Sequence, residues 1–307
     1  MPPVRAIRGF LLFAFCLLLA AAPSRAQLPS TNPADNAEAA SMMQQARDYE
    51  ASGDTGRAIG IYRAVVKRYA VSPSAPAAQF RLAELIEQSG NRSRAFDAYK
   101  SLVENYPQSR EFDRAVAAQL AIADDFMQRR RYERAEEMYR SILASAPYAK
   151  FAPAAQFKLG QSLENRSEYD KAVAAYQVII DRYGASDYAD DALYQIGYVQ
   201  LTEAMSRSKD LSAAIDAKHT FEEFLMEYPN SEKAAQARDN LARMSGREAV
   251  DLLSIAKFYD RNTNYRAAVI YYSDLVRRQP GSEDAKFANE RIEEIRNTVG
   301  DDELRAS

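Results

Sequence analysis

Two side chains that carry nucleophilic or metal chemistry occur once each in this chain, His219 and Cys16. A transition-metal site needs three or four such ligands, and a nucleophilic triad needs an imidazole beside an activated hydroxyl or thiol. Neither set can be assembled, so no catalytic residue, no metal site and no cofactor is expected. Cys16 lies inside an apolar run, behind Phe15, and reads as hydrophobic filler in a segment that is removed. The remaining chain would then have no thiol for disulfide or thiolate chemistry. His219 stands in a helical pattern near Phe221 and reads as a surface or interface residue. The acid pairs Asp124-Asp125, Glu136-Glu137 and Asp190-Asp191 read as solvated helix faces, because two-carboxylate catalysis needs a cleft that desolvates one partner. Arg129-Arg130-Arg131 falls at a turn and reads as a solvated run, with contact to an acidic partner as the second reading.

The chemistry of recognition is better supplied. Met43, Phe80, Leu120, Phe157 and Tyr194 form a series of large apolar or aromatic residues. Ala40, Ala77, Ala117 and Ala154 precede the first four by three residues, leaving space beside each. Arg47, Glu84, Asp124, Gln161 and Tyr198 follow the five by four residues and supply a mostly polar edge. Such a wall suits an extended or helical peptide bearing aromatic side chains. The same residues could equally pack neighbouring helices, and the residue types alone leave both readings open.

The elements that must position this series are legible from a second set of spacings. Ala58, Ala95, Ala135, Ala172, Ala217 and Ala268 are each followed four residues on by an aromatic: Tyr62, Tyr99, Tyr139, Tyr176, Phe221 and Tyr272. Twelve residues before five of these alanines stands another small residue, Ala46, Ala83, Ala123, Gly160 or Ala256. Gly197 fills the slot in the remaining unit, after an eight-residue insertion. Pro107, Pro147, Pro229 and Pro280 close four units and Gly184 a fifth; proline cannot continue a helix. Turns are expected at 52–54, 89–91, 129–131 and 165–167. The serines two residues after a closing proline, Ser109 and Ser231, are candidates to cap the next helix. This is the pattern of a tetratricopeptide repeat. The expected fold is all-α, a tetratricopeptide-repeat solenoid of about six helix-turn-helix units with a C-terminal capping helix. The helix-B aromatics are expected in the interhelix core.

Two units are irregular. Residues 205–212 interrupt the fifth, with Asp210 or Ser212 placed to cap the restarted helix. The sixth opens with an overlong helix from Ser231 to about Tyr259, weakened only at Gly246 and able to brace its neighbours. A charged helix from Ser282 to about Arg296 closes the stack.

Ahead of the repeats, Arg5 and Arg8 precede an apolar run from Phe10 to Ala22, and Ser24-Arg25-Ala26 offers a cleavage site. Residues 1–26 are expected to be a secretory signal, with retention as an anchor the alternative. Residues 27–37 read as a flexible linker, 38–298 as the repeat superhelix and 299–307 as a frayed tail. Removing 1–26 takes away Arg5, Arg8 and Arg25 and no acids, moving the formal charge from −3 to −6. That balance argues against nucleic acid or anionic lipid as a partner, and no small-molecule substrate is expected.

Residues from about 190 to 285 carry a more specific likeness. Asp210-Leu211-Ser212, Ala217, Phe221 and Tyr228-Pro229-Asn230-Ser231 lead into Ala235, Arg238 and Leu241, then Ala256, Phe258-Tyr259, Tyr265, Ala267-Ala268 and Pro280. This segment resembles the BamD family, the repeat component of the outer-membrane β-barrel assembly machinery. The resemblance implies a non-enzymatic periplasmic scaffold at the inner face of the outer membrane, peripheral to that membrane. Its N-terminal repeats would receive unfolded outer-membrane proteins, with Phe80, Phe157 and Tyr194 in the receiving surface. Its sixth unit, around Tyr265, Tyr271 and Tyr272, would dock on a BamA-like outer-membrane barrel protein. Typical members are lipoproteins, whereas no lipidation signal fits Cys16, so attachment without a lipid anchor is expected. The alternative is a periplasmic repeat scaffold that coordinates cell-wall synthesis with envelope constriction.

Overall fold

The computed structural model describes residues 32–206, 211–300 and Leu304. The signal segment with Cys16, the start of the linker, Asp210, the side chain of Ser212 and most of the tail lie outside the described residues. Among the described residues there are thirteen helices and no strand. Six pairs follow the repeat ruler: α1 (Pro33–Ala51) with α2 (Thr55–Arg68), α3 (Ala75–Gln88) with α4 (Arg92–Asn105), and α5 (Phe112–Gln128) with α6 (Tyr132–Ser145). Then come α7 (Ala152–Asn165) with α8 (Tyr169–Tyr183), α9 (Ala189–Ser206) with α10 (Leu211–Glu227), and α11 (Ala234–Arg261) with α12 (Tyr265–Arg278). The closing helix is α13 (Glu283–Val299). The described chain falls into two compact units, one ending at Ala78 and one beginning at Gln79.

The ruler has a direct steric cause. All six helix-B alanines are buried, as are the six aromatics four residues later and the helix-A small residues. A Cβ on Gly160 would lie 2.5 Å from the Tyr176 ring, and one on Gly197 would lie 3.0 Å from the Phe221 ring. The helix-A residue is small because the helix-B ring lies on top of it.

The turns expected at 52–54, 89–91, 129–131 and 165–167 are present, and these and the turn at 262–264 each reverse through one residue in the left-handed region. Gly53 and Gly90 fill that slot in the first two units. Arg130, Ser167 and Thr263 fill it later, with φ of 59°, 60° and 55°. Asp54, Asn91 and Asn264 then cap the following helices, each accepting a bond from a backbone N–H three residues on. Ser282 caps α13 in the same way.

Two local expectations are corrected. Helix α1 begins at Pro33, with the Asn32 side chain accepting from the Ala34 N–H, so residues 33–37 of the expected linker are helical. Ser109 does not cap α5, which starts after Glu111 without a side-chain cap; its hydroxyl is buried with no partner among the described residues. Its backbone takes part instead, the N–H donating to the Tyr106 carbonyl and the carbonyl accepting from the Phe112 N–H. Ser231 does accept from the Lys233 N–H at the entry to α11, and donates to Asp190.

In the second unit the packing runs between helices adjacent or next-but-one in the chain, as in a solenoid. Helix α11, 28 residues long, contributes Ala234 and Ala237 to one buried cluster with α9 and α10, and Ala249 and Ala256 to another with α12 and α13. It therefore braces two cores, with Gly246 exposed at the junction.

Candidate functional site

The first chemistry the repeats organise is internal. Tyr99 donates its hydroxyl to Glu87 at 2.9 Å, Tyr176 to Glu164 at 3.0 Å and Tyr272 to Asp260 at 3.2 Å, each across twelve residues. Tyr62 makes the same bond to Glu50, and Tyr139 reaches Asp124 at 2.6 Å. Burial, reinforced by the neighbouring carboxylate, raises the hydroxyl pKa of Tyr99, Tyr139 and Tyr176, and pushes that of Tyr272 up to about 12. In the fifth unit the aromatic is Phe221, and the residue corresponding to the acid is Leu201, itself buried. Sequence reasoning missed this pairing, although an acid four residues after the small one was visible in four units.

The same unit interiors absorb most of the expected ladder. Phe80 is buried, its ring 5.6 Å from Tyr99 and covered by the Arg114 guanidinium at 4.1 Å. Phe157 is buried between Tyr176 and Tyr188, at 5.4 and 5.5 Å. Leu120 is half-buried against the same core. Met43, in the unit ending at Ala78, is buried as well. These side chains hold helices together, and their inward turn follows from the helical stripe they share with the small residues three positions on. Beside them Gln79 and Gln156 each donate across the pair to a backbone carbonyl, of Ala98 and Ala175. Gln119 occupies the same slot in the third pair, yet its amide is buried without a partner among the described residues.

The last rung differs. Tyr194 is itself buried, set between Phe221 and Phe224 at 5.8 and 5.7 Å, but its ring edge and the stacked Tyr198 ring, 6.4 Å away, wall an open cavity. Tyr198 is 41% exposed. Helix α11 forms the other wall through Gln236, Asp239, Asn240 and Arg243, and the cavity has a volume of about 430 Å³. Asn240, only 2% exposed, donates to the Tyr194 hydroxyl at 3.3 Å and accepts from Arg243. Arg243 also pairs with Asp239 at 3.4 Å, and Lys233 lies 5.9 Å from the Tyr194 ring centroid. Burial raises the Tyr194 pKa, so its hydroxyl stays a neutral hydrogen-bonding group. Aromatic faces, an amide and both signs of charge can hold an aromatic side chain and its adjoining peptide group. Exposed His219 lies on α10 and is no part of this cavity.

On the sixth unit, Tyr265 and Tyr271 are half-buried, Tyr271 stacking on Tyr259 at 5.6 Å. Tyr272 is fully buried and is corrected from docking residue to core. It occupies the repeat's aromatic slot, so the ring that packs on Ala256 has no face left for a partner. The outward apolar residues here include Val250, Ile255 and Phe258 on α11 and Ile270 on α12, with Phe258 57% exposed. Sequence reasoning missed them because the repeat ruler marks only inward positions.

Among the described residues no group of three His, Cys, Asp or Glu is placed to hold a metal, and no helix is long and apolar enough to cross a membrane.

In comparison with known proteins, residues 119–307 match the family YfiO, described as an outer membrane lipoprotein, and residues 43–110 match a tetratricopeptide-repeat family. An outer membrane protein assembly factor BamD from Neisseria gonorrhoeae is 26% identical over 166 residues, covering 51% of this chain and 62% of that protein. The BamD of Caulobacter vibrioides is 20% identical over 188 residues, covering 61% and 62%. The chain thus spans 62% of the length of these curated relatives. A tetratricopeptide repeat protein from Parabacteroides merdae superposes with a TM-score of 0.36 at 14% identity, over 84% of this chain and 98% of that one. The family's description as a lipoprotein bears against the expectation of no lipid anchor; Cys16 lies outside the described residues.

Proposed function

This chain belongs to the YfiO outer membrane lipoprotein family, and from that membership we propose that it acts as a non-enzymatic scaffold in outer-membrane β-barrel assembly, binding unfolded outer-membrane proteins at the Tyr194–Tyr198 cavity. The observation that carries this reading is an aromatic wall left open to solvent on a helix pair whose other rings are packed away. An unfolded barrel protein offers extended, aromatic-rich strands, and an aromatic side chain entering this cavity would stack on Tyr198. The site is on the periplasmic side of the outer membrane in this reading.

Docking on a BamA-like barrel protein is assigned to the outward face of the sixth unit, through Val250, Phe258, Ile270 and the edge of Tyr265. These apolar residues stand among charged neighbours such as Asp251, Lys257 and Arg266, the composition of an interface centre with a polar rim.

The cavity is tested with a fluorescent peptide ending in an aromatic residue. Tyr198→Ala should weaken binding by about 30-fold, as for a 2 kcal/mol anchor, with little change in melting temperature. Unchanged affinity would remove the cavity from the receiving role. In envelope extract, Phe258→Asp should lose a large barrel protein with repeated periplasmic domains. Recovery of murein synthases alone by the parent would favour cell-wall coordination instead.

A further inference from the structure

Within the unit that begins at Gln79, the turn from α3 to α4 and the end of α5 line a second open cavity of about 480 Å³. We propose that this cavity binds a phosphate group through Arg92, Arg129 and Arg131. The proposal is independent of the Tyr194 cavity and of any role in barrel assembly.

Charge is the first argument. Asp125 receives Arg92 Nη1 at 2.7 Å and Arg129 Nε at 2.9 Å on one carboxylate oxygen, Oδ2. Each guanidinium has five N–H donors, so most of their capacity stays available, while the shared acid fixes where both heads sit. Arg131 is held differently, its guanidinium 5.5 Å from the Phe126 ring centroid, and it forms no ion pair among the described residues. Three positive charges face one negative in a chain whose formal charge is −3. A concentration of one sign against the overall balance attracts an oppositely charged ligand.

Shape is the second. Gly90 turns at φ +87°, and a Cβ there would meet nothing within 4 Å, so the floor is open backbone. Ser89, Asn91 and Ser93 also line the cavity. A planar carboxylate matches one guanidinium fork, whereas Asp125 takes a single nitrogen from each of two guanidiniums and leaves both forks open. A tetrahedral phosphate offers three oxygens in different directions, which suits donors arriving from two separate turns. The solvated reading of Arg129-Arg130-Arg131 is thereby narrowed: Arg130, at the left-handed position, turns the chain, and its two neighbours line the cavity.

Phosphate on a lipid headgroup and soluble phosphate share this chemistry, and the test separates them. The 15N-labelled chain is titrated with pyrophosphate, and with chloride at equal ionic strength, following the amides of Gly90, Ser93 and Arg131. Flotation is measured in parallel with phosphatidylcholine vesicles with and without phosphatidylglycerol. Saturable shifts with pyrophosphate but not chloride are expected, weakened at least tenfold in Arg131→Gln and unchanged in Arg277→Gln on α12. Flotation that needs phosphatidylglycerol and is lost in Arg131→Gln assigns the phosphate to a lipid; pyrophosphate binding without flotation assigns it to a soluble ligand. Both substitutions are at exposed side chains, and melting temperatures check that folding is intact. The proposal is overturned if the parent shows neither signal, or if either signal survives Arg131→Gln at full strength.

Discussion

Tyr99 shows what one hydroxyl does in this architecture. Its ring shares a buried cluster with Ala83 and its Oη bonds to Glu87 at 2.9 Å, so the residue joins apolar packing and a polar bond together. The fifth unit removes both polar partners at once, with Phe221 and Leu201. Tyr99→Phe alone should therefore cost about 1 kcal/mol, the net worth of a hydrogen bond. The pair Tyr99→Phe with Glu87→Leu should recover most of it. Chemical denaturation of the two single variants and the double closes the cycle, and strict additivity would show that the two groups act separately. The bond itself was hidden at the level of sequence. An acid four residues after a small one is a common helical feature, and only the stacked helix says which tyrosine it meets.

At the scale of the helix, two glycines predict opposite outcomes for one substitution. Gly160 in α7 lies under the Tyr176 ring, with 2.5 Å to a would-be Cβ, and the ring is locked by its own bond to Glu164. Gly160→Ala should destabilise by about 1–3 kcal/mol through overpacking. Gly246 in α11 is exposed and faces open space, so Gly246→Ala should stabilise by about 0.5–1 kcal/mol through backbone entropy. Thermal melting reads both, and a loss of stability at Gly246 would mean that α11 needs a weak point between its two cores. The element scale was the most legible from sequence. Small residue, turn, small residue and aromatic recur at nearly constant spacing, because each pair must repeat the same close approach.

For the whole molecule, the buried tyrosines set a pH limit. Tyr272 titrates near 12 in the folded chain against about 10 when unfolded, and Tyr99, Tyr139 and Tyr176 are shifted the same way. A raised folded pKa means that the unfolded chain gives up protons first as pH rises. The stabilising contribution is complete below about pH 10 and is lost through about pH 12. Alkaline titration followed at 295 nm should show these tyrosines ionising together with loss of helix. Replacing Tyr272 by Phe should shift the midpoint upward, unless the loss of its bond to Asp260 unfolds the sixth unit first, which circular dichroism at pH 7 would reveal. Asp260 bears the opposite sign. Its paired bonds from Arg291, at 2.7 and 2.8 Å, hold its carboxyl below the usual range, so its contribution is present above about pH 4 and lost in acid.

The sequence by itself determined the repeat: which residues are small, which aromatic, and where each helix must stop, since those choices are imposed by contacts within one pair. It also carried the family likeness in the second half, where an overlong helix and a shifted spacing are visible as breaks in the ruler. Only the tertiary structure decided which large side chains have a free face. Phe80 and Phe157 occupy the same stripe as Tyr194, and nothing in their spacing separates them. All three are buried; Arg114 of α5 and Tyr188 ahead of α9 lie over the first two, whereas beside Tyr194 it is the exposed Tyr198 ring that walls a cavity together with α11. Exposure is a property of the neighbour's distance, and a residue's own type does not contain it.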